Sequence, residues 1–382
     1  MSPTDVVVIG GGVVGSSIAY HLAKRGTRTT LLEQWEIAAA ASGASAGGVR
    51  QQHRDLREMP LAIAAIARWK DLEAELEADV HYYRNGNVKL VGDEADLPMV
   101  ARLVAEQQAA GLGITLVAGD DLRELVPGLG PTMIAGTYTD NDGHANPGLT
   151  TKAFAAAAAR HGADVRTGTR VTGFETAGGR ISGVETNQGN FAADWVVFAT
   201  GAWSNGLAHT LGIELPTRPV GLQMILTTPR PSLLKQVLGT VKRPLSLKQL
   251  RAGNYLIGGG LPGDIDLGKP RGTIRPESIE KSRSVSAEVF PALRETEIED
   301  RWVGIEAFAP DDVPILGPVP DYENLTLALG FSGHGFALSP MTGQVISELI
   351  LDRQPSLPID AFAYSRFAGK ESEEWLPTPQ AG

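Results

Sequence analysis

The sequence predicts an α/β fold, and three observations support this prediction. The 382 residues are 42% apolar and 20% charged, a composition typical of folded globular domains. The 45 glycines and 24 prolines are scattered without a repeat, as expected for turns between short elements. The first 34 residues alternate between strand, helix and strand patterns. At the usual domain size, a chain of this length forms roughly two to three domains.

The composition also argues against several classes of function. A formal net charge of −10 without a clustered basic face disfavours binding to nucleic acid or to an anionic membrane. The chain has no cysteine, which excludes disulfides and thiolate metal ligands, and its 7 histidines show no metal-binding spacing. The apolar run at 6–23 is interrupted by glycines and follows no cationic segment. We therefore expect a cytoplasmic protein without a signal peptide or membrane span.

The N-terminal segment has the pattern of a dinucleotide-binding βαβ unit. Residues 5–10 (DVVVIG) form a β-branched run typical of a buried parallel strand. Gly10 permits a tight turn, Gly12 allows the backbone to approach a pyrophosphate, and Gly15 allows the following helix to pack closely on the strand. The N-terminus of that helix supplies N–H donors for phosphate groups.

The second strand of this unit ends at Glu33. This residue lies 18 positions after Gly15, close to the roughly 20 expected for the acid that binds a ribose hydroxyl. An acid at this position favours an unphosphorylated ribose and argues against NADP. The unit alone does not distinguish NAD from FAD.

Three later segments carry a resemblance to a known family. Residues 41–50 (ASGASAGGVR) follow the second strand, residues 194–204 (DWVVFATGAWS) run from a strand into Ala-Thr-Gly, and residues 330–350 (GFSGHGFALSPMTGQVISELI) form a glycine-rich loop before a helix. With the N-terminal unit, they resemble the D-amino-acid oxidase-like FAD-dependent oxidoreductases. That family includes glycine oxidase, sarcosine oxidase and the β subunits of sarcosine oxidase and opine-oxidising enzymes. The resemblance extends from Asp5 to about Leu351.

The resemblance implies a bound FAD in a Rossmann-like domain. The expected cofactor contacts are Gly10, Gly12, Gly15, Glu33, Ser42, Gly47, Gly48, Val171, Thr200, Gly201, Gly330, Gly333 and Gly335. The last three precede a helix predicted at 343–351. They would present backbone N–H groups and a positive helix end to the flavin N1/C2 oxygen region. We do not expect covalent attachment of the FAD.

The resemblance also implies that an antiparallel-sheet substrate-binding domain is inserted twice into the FAD-binding domain. The expected FAD-binding domain comprises 1–79, 144–213 and 309–382, and the expected substrate-binding domain comprises 80–143 and 214–308. We expect the tail after Trp375 to be disordered.

Four residues are candidates for the substrate site. Arg50 and His53 belong to a segment expected to lie over the flavin, where sarcosine oxidases carry two arginines and the second clamps the substrate carboxylate. Glu306 takes the position of the carboxylate-binding arginine of glycine oxidase, and a glutamate would repel a carboxylate. This favours a substrate with a cationic or extended polar arm. His334 is expected to contact the flavin or the substrate, whereas Lys248 is interpreted as a surface lysine.

The resemblance implies FAD-dependent oxidation of the C–N bond of an amino acid or secondary amine of the sarcosine, proline or opine type. The hydride would pass from the α-carbon to flavin N5. The likeness to β subunits raises the hypothesis of a heteromeric complex with a companion electron-accepting subunit. The alternatives are FAD-dependent oxidation of a 2-hydroxy acid, a flavin-bearing scaffold without its own substrate, and an NAD-linked dehydrogenase. An anionic hydroxy acid would require converging basic residues, against which Glu306 argues.

Overall fold

A computed structural model describes residues 4–368 of the chain. The tail after Trp375, for which we predicted disorder, lies outside the described residues. Two sheets dominate the described part, and a cleft lies where loops of the first sheet meet the edge of the second.

The α-helices of the described residues are α1 (Val13–Lys24), α2 (Ala41–Ala44), α3 (Met59–Trp69), α4 (Leu72–Leu76), α5 (Leu97–Ala109), α6 (Gly119–Leu125), α7 (Pro147–Arg160), α8 (Ser204–His209), α9 (Pro276–Val289) and α10 (Gly335–Asp352). The strands are β1 (Thr4–Ile9), β2 (Thr29–Leu32), β3 (Gly48–Val49), β4 (Asn87–Val91), β5 (Thr115–Ala118), β6 (Ala135–Thr139), β7 (Gly143–His144), β8 (Asp164–Arg166), β9 (Val171–Ala177), β10 (Arg180–Thr186), β11 (Phe191–Phe198), β12 (Arg218–Thr227), β13 (Val237–Thr240), β14 (Ser246–Gln249), β15 (Tyr255–Gly258), β16 (Pro262–Gly263), β17 (Arg271–Gly272), β18 (Ile298–Phe308), β19 (Ile315–Val319) and β20 (Tyr322–Leu329).

The first sheet has a parallel centre with the strand order β20-β11-β1-β2-β8. Strand β19 adds an antiparallel edge, and the β9–β10 hairpin pairs with β11. Central strand β1 is buried on both faces, because Val6 and Val8 pack in one apolar cluster with α1 and α10, whereas Val7 packs in another. This is why its sequence is a continuous apolar run rather than an alternating one.

The second sheet has the order β17-β18-β12-β15-β14-β13-β4-β6-β5, with β16 paired to β12. Its neighbours are antiparallel except for the parallel β13–β4 pair. All its strands lie within 87–139 and 218–308. The parallel sheet and the mainly antiparallel sheet confirm the predicted α/β class, while the proposed domain boundaries stay a prediction.

Helix α10 begins at Gly335, so the predicted start at Gly343 is wrong. The helix continues through Pro340, which has no N–H to bond to the carbonyl of Phe336. The hydroxyl of Ser339 donates to that carbonyl at 2.9 Å and so satisfies it. None of the helices within residues 4–368 is long and apolar enough to cross a membrane.

Candidate active site

Two glycines at the junction of β1 and α1 have no room for a larger side chain. Gly10 has a φ of +112°, and a Cβ at this position would overlap the backbone of Ala199. A Cβ on Gly15 would overlap the backbone oxygen of Gly10, because helix and strand are in close contact there. The two glycines therefore set the turn and the approach of α1 to the sheet.

The first turn of α1 faces the cleft with its backbone. Gly12, Val13 and Val14 line the cleft, and the N–H of Val13 donates to the hydroxyl of Ser42 at 2.8 Å. The remaining N–H groups at a helix start have no partner within the helix, and the helix dipole favours negative charge there. This end of the cleft is suited to a phosphate group.

Glu33 stabilises the glycine turn by accepting hydrogen bonds from its backbone. One carboxylate oxygen accepts from the N–H of Gly11 at 2.6 Å, and the other accepts from the N–H of Trp35 at 2.8 Å. Burial raises the pKa of Glu33, and these two backbone donors oppose the rise. Because a carboxylate oxygen accepts more than one hydrogen bond, Glu33 can still bind a ribose hydroxyl. This stabilisation of the turn is a second role, which the spacing of Glu33 in the sequence does not predict.

The opposite side of the cleft is formed by the loop between β20 and α10. Gly330 and Gly333 adopt φ values of +67° and +84°, which favour glycine. The first residues of α10, Gly335 and Phe336, line the cleft, so a second helix N-terminus faces the same space.

The cleft has a volume of about 380 Å³, within the range of small-molecule sites. The structure brings together most of the predicted cofactor contacts, and the predicted residues that line the cleft are Gly10, Gly12, Glu33, Ser42, Val171, Thr200, Gly201, Gly330, Gly333, Gly335 and Glu306. The predicted site residues that do not line it are Gly15, Gly47, Gly48, Arg50, His53 and His334.

Two tryptophans of the cleft were missed by the sequence analysis. Trp35 and Trp203 line it, with ring centroids 5.0 Å apart in an edge-to-face arrangement. The Nε1 of Trp203 donates to the backbone oxygen of Leu267 at 2.8 Å, which ties the cleft to the second sheet. The sequence indicated them only by position, because Trp35 lies two residues after Glu33 and Trp203 lies two residues after Gly201.

A buried charged group lies behind the glycine loop of α10. Glu58 is fully buried and accepts from Nδ1 of His334, at 3.0 and 3.1 Å from its two oxygens. Nη1 of Arg54 lies 3.9 Å from Glu58. Burial acts to raise the pKa of Glu58, but His334 and the neighbouring arginines outweigh it and lower that pKa. Glu58 was missed, although its spacing of four from Arg54 is typical of a helical ion pair.

His334 is neutral in this arrangement. Burial lowers its pKa to about 4, and the charge of Arg54 acts in the same direction. The neutral ring therefore donates its Nδ1 proton to Glu58. This bond orients the imidazole that stands between Gly333 and Gly335, two residues of the cleft wall.

Arg50 and His53 are held by other parts of the chain. Nη1 of Arg50 donates to the backbone oxygens of Gln52 and His53. Nε2 of His53 lies 2.9 Å from the hydroxyl of Thr137 in β6. Burial lowers the pKa of Arg50 to about 10 and that of His53 to about 3, so Arg50 stays charged and His53 is neutral.

Glu306 lines the cleft from strand β18. Burial raises its pKa to about 7, and the N–H of Gly333 opposes the rise. No basic side chain within residues 4–368 forms an ion pair with it. The carboxyl group of Glu306 therefore changes its charge near neutral pH.

The interpretation of Lys248 as a surface lysine is wrong. The residue is 1% exposed, and its Nζ donates to the backbone oxygen of Ala46. Burial lowers its pKa to about 7. The cause is the position of β14, an interior strand whose face at Lys248 is covered by the segment at 44–53.

The residues present fit an FAD. Two helix N-termini and glycine backbone line one cleft, and side chains at these glycines would fill it or distort it. A parallel βαβ sheet with such a cleft defines a class, the oxidoreductases that bind a dinucleotide cofactor.

The chain belongs to the family described as FAD dependent oxidoreductase, whose model matches residues 5–349. This confirms the resemblance drawn from the sequence. The protein is thus an FAD-dependent enzyme.

Three relatives illustrate the similarity. Glycine oxidase from Pseudomonas putida is 31% identical over 362 residues, which cover 92% of this chain and 95% of that protein. The structure of L-proline dehydrogenase from P. horikoshii matches with a TM-score of 0.90 at 30% identity, covering 96% of this chain and 98% of that one. Glycine oxidase from Geobacillus kaustophilus matches with a TM-score of 0.88 at 26% identity, covering 95% and 98%.

Proposed function

We propose that the protein oxidises the C–N bond of an amino acid or secondary amine, with FAD as the oxidant. The observation that carries the proposal is the carboxyl group of Glu306 in the cleft, without a basic partner among residues 4–368. A carboxylate attracts the cationic amine of an amino acid and repels an anionic substrate. The relatives described above are named for glycine and L-proline, which are both amino acids.

When bound, FAD supplies the hydride acceptor, flavin N5, for the carbon beside the amine nitrogen. The chain supplies the other requirements of the reaction. Glu306 can accept a proton from the substrate ammonium group, because its pKa of about 7 leaves a large fraction ionised near neutral pH. The amine would then be neutral, as the loss of a hydride requires.

The remaining site residues have positioning roles in this proposal. The backbone of the two glycine loops holds the FAD, and Glu33 binds a ribose hydroxyl. His334, oriented by Glu58, contributes to the wall beside Gly333. Arg50 lies behind this wall, where its charge contributes to lowering the pKa of His334.

We also propose that the electrons leave through a companion subunit in the cytoplasm. The support is the likeness of residues 47–52 (GGVRQQ) and 330–336 (GFSGHGF) to β subunits of heteromeric enzymes. Comparing reoxidation of the reduced enzyme by oxygen and by an artificial electron acceptor tests this part. Fast reoxidation by oxygen would contradict it.

The test of the reaction is the visible flavin spectrum of the purified protein under anaerobic conditions. The panel comprises glycine, sarcosine, L- and D-proline, an opine, D-alanine and two 2-hydroxy acids. We expect at least one amino acid to bleach the flavin and the hydroxy acids to leave it oxidised. Bleaching by a hydroxy acid alone would replace the proposal with the alternative reaction. A flavin that no member of the panel reduces would favour a scaffold role.

A further inference from the structure

The charged side chains of the cleft are distributed unevenly between its two ends. Among the described residues 4–368, those that line it are Glu33, Arg170 and Glu306. The N–H of Thr169 donates to the backbone oxygen of Glu33 at 2.8 Å, so Arg170, the next residue in the chain, lies at the Glu33 end. The basic side chain of the cleft lining therefore belongs to the end where we expect the ribose.

Glu306 lies at the other end of the cleft. A Cβ on Gly333 would be 3.9 Å from Oε2 of Glu306. The loop of Gly333 follows β20, whereas Glu33 follows β2, and the order β20-β11-β1-β2 puts three strand spacings between them. At about 4.8 Å per spacing, the two ends are about 14 Å apart. This exceeds the screening length of about 8–10 Å, so Arg170 cannot compensate a charge beside Glu306.

The basic residues on the strands next to Glu306 are directed away from the cleft. Arg271 of β17 points towards α2, since its Nη2 would lie 3.2 Å from a Cβ on Gly43. Arg218 of β12 lies over the ring of Phe308, with 5.6 Å between the guanidinium carbon and the ring centroid. Neither arginine lines the cleft.

Two arginines behind the cleft wall are engaged as well. Arg50 donates to two backbone oxygens, and Nη1 of Arg54 lies 3.9 Å from Glu58. The pKa of Glu306 agrees with this isolation, because burial raises it to about 7 and no charged group opposes the rise. Above neutral pH, the Glu306 end thus carries a negative charge, and no basic side chain among residues 4–368 lines that end.

We propose that Glu306 restricts the substrate to amino acids with a single carboxylate and a neutral substituent, if any, on the nitrogen. The inference rests on the proposed oxidation of an amino acid and narrows the class of its substrate. Compounds with a second carboxylate on the nitrogen substituent, as in opines, are excluded by their charge. Glu306 is then a residue that determines specificity.

The physical reason is the total charge of the complex. A zwitterionic amino acid with one carboxylate has no net charge, so the negative charge of Glu306 stays the only excess charge at this end. In an opine, both carboxylates are attached to carbons bonded to the amine nitrogen. Neither carboxylate can therefore leave the vicinity of Glu306 when the nitrogen is bound there. At a distance of about 5 Å in a partly buried site, this repulsion weakens binding about 100-fold.

The experiment compares iminodiacetate with its monoamide, because their second arms have the same shape and differ in charge. Anaerobic stopped-flow reduction at about pH 8.5, where Glu306 is ionised, gives the ratio of limiting rate to Kd for each compound. We expect the wild type to prefer the monoamide about 100-fold and E306Q to prefer it less than about fivefold. E323Q, at an exposed position, should keep the preference of the wild type.

The preference separates charge selection from the proposed role of Glu306 in accepting a proton. In E306Q both compounds lose the same proton acceptor, so the rates fall together and their ratio reports the charge alone. Equal efficiency of the two compounds in the wild type overturns the proposal, and so does an E306Q variant with the preference of the wild type. If E306Q does not retain FAD, the wild type decides: a preference for the monoamide supports the proposal, and its absence overturns it.

A binding probe distinguishes failure of this inference from failure of the proposed function. If no amino acid reduces the wild type, the proposed reaction is wrong. The Kd values of pyrrole-2-carboxylate and pyrrole-2,5-dicarboxylate, measured from the shift of the flavin spectrum, then test the charge selection alone. Tighter binding of the monoacid that is lost in E306Q supports it, whereas equal binding, tighter binding of the diacid or binding of neither overturns it. The same pair decides if neither iminodiacetate nor its monoamide reduces the flavin.

Discussion

The glycine loops of the cleft and the charged segment at 50–58 lie close together but are built differently. At the glycine loops, backbone groups face the ligand, and a Cβ at Gly10 or Gly15 would overlap the chain itself. In the charged segment, side chains carry the contacts, and Arg54 and Glu58 are almost completely buried. Gly10 and Gly15 have no room for an added atom, whereas the charged segment cannot lose a charge without leaving another buried charge uncompensated. Each difference can be measured.

The largest effect is expected for Gly15→Ala. The new Cβ would overlap the backbone oxygen of Gly10, and backbone atoms cannot rotate away as a side chain can. Overpacking typically costs 1–3 kcal/mol, and we expect the free energy of unfolding to fall by about 3 kcal/mol or more. The variant should also lose most of its FAD, measured by the flavin absorbance of the purified protein.

Gly113→Ala is the matched control, since a Cβ added at Gly113 would have no atom within 4 Å and the φ of this residue is ordinary. We expect this variant to keep its FAD and to unfold within about 0.5 kcal/mol of the wild type. If Gly15→Ala kept both FAD and stability, the close approach of α1 to β1 would not be required.

The second effect is expected for Glu58→Gln in the charged segment. The amide can still accept from His334, but Arg54 loses its compensating charge, so we expect a loss of about 2 kcal/mol in the free energy of unfolding. Because the pKa of Glu58 is lowered by folding, its contribution is present above its ordinary pKa and is lost as the pH falls through the lowered value. Denaturant unfolding at neutral and acid pH measures the loss of unfolding free energy and its dependence on pH.

Glu323→Gln provides the control for this substitution. Glu323 forms an ion pair with Arg180, and its side chain is 72% exposed. Exposed pairs contribute little, so we expect a change below about 0.5 kcal/mol. Equal losses in the two variants would show that burial of Glu58 does not matter.

The two regions also differ in how far the sequence predicts them. The spacing of Gly10, Gly12 and Gly15 predicts the phosphate end of the cleft, because all the interactions arise within one βαβ unit. Glu58 and His334 are separated by 276 positions, and no local pattern indicates their contact. The sequence therefore predicts the fold class and the glycines at both ends of the cleft, and it misses the groups that orient His334.

Lys89 and Lys248 show the same limit in the second sheet. A lysine in a short strand ordinarily indicates an exposed face. Both residues instead face the segment at 44–53, because Lys248 donates to Ala46 and the charge of Lys89 acts on His53. Only the order of the strands reveals this covering, and the order depends on contacts between distant parts of the chain.

Glu306 contributes a carboxyl group to the glycine-lined cleft. We expect Glu306→Gln to have an effect of intermediate size on the rate of flavin reduction. Its carboxyl group ionises near pH 7 in the wild type. If it accepts the proton of the substrate amine, the variant should reduce its flavin at least about 10-fold more slowly between about pH 7 and the pKa of the substrate ammonium group, and it should lack the inflection near neutrality. Stopped-flow measurement of flavin reduction across pH tests this.

The stability of Glu306→Gln provides an independent check. Folding raises the pKa of Glu306 from its ordinary 4.5, so the native state favours the protonated form. The contribution of Glu306 to the free energy of unfolding is therefore most favourable below that ordinary pKa and is lost as the pH rises through about 7. We expect the variant to have a Tm a few degrees above that of the wild type in mildly alkaline buffer and an equal Tm in acid. Parallel pH profiles for the two proteins would contradict the burial of an ionisable group here.

The smallest effect is expected for Ser42→Ala. Ser42 contacts the backbone at the first turn of α1. Its hydroxyl accepts from the N–H of Val13, and loss of such a cap costs about 1 kcal/mol. The freed N–H remains available to a phosphate oxygen, so we expect the Kd for FAD to change less than about tenfold. Ser182→Ala, at an exposed position, is the control and should leave Tm and Kd unchanged. FAD loss in Ser42→Ala as complete as that in Gly15→Ala would mean that a side chain, rather than the backbone, holds the cofactor.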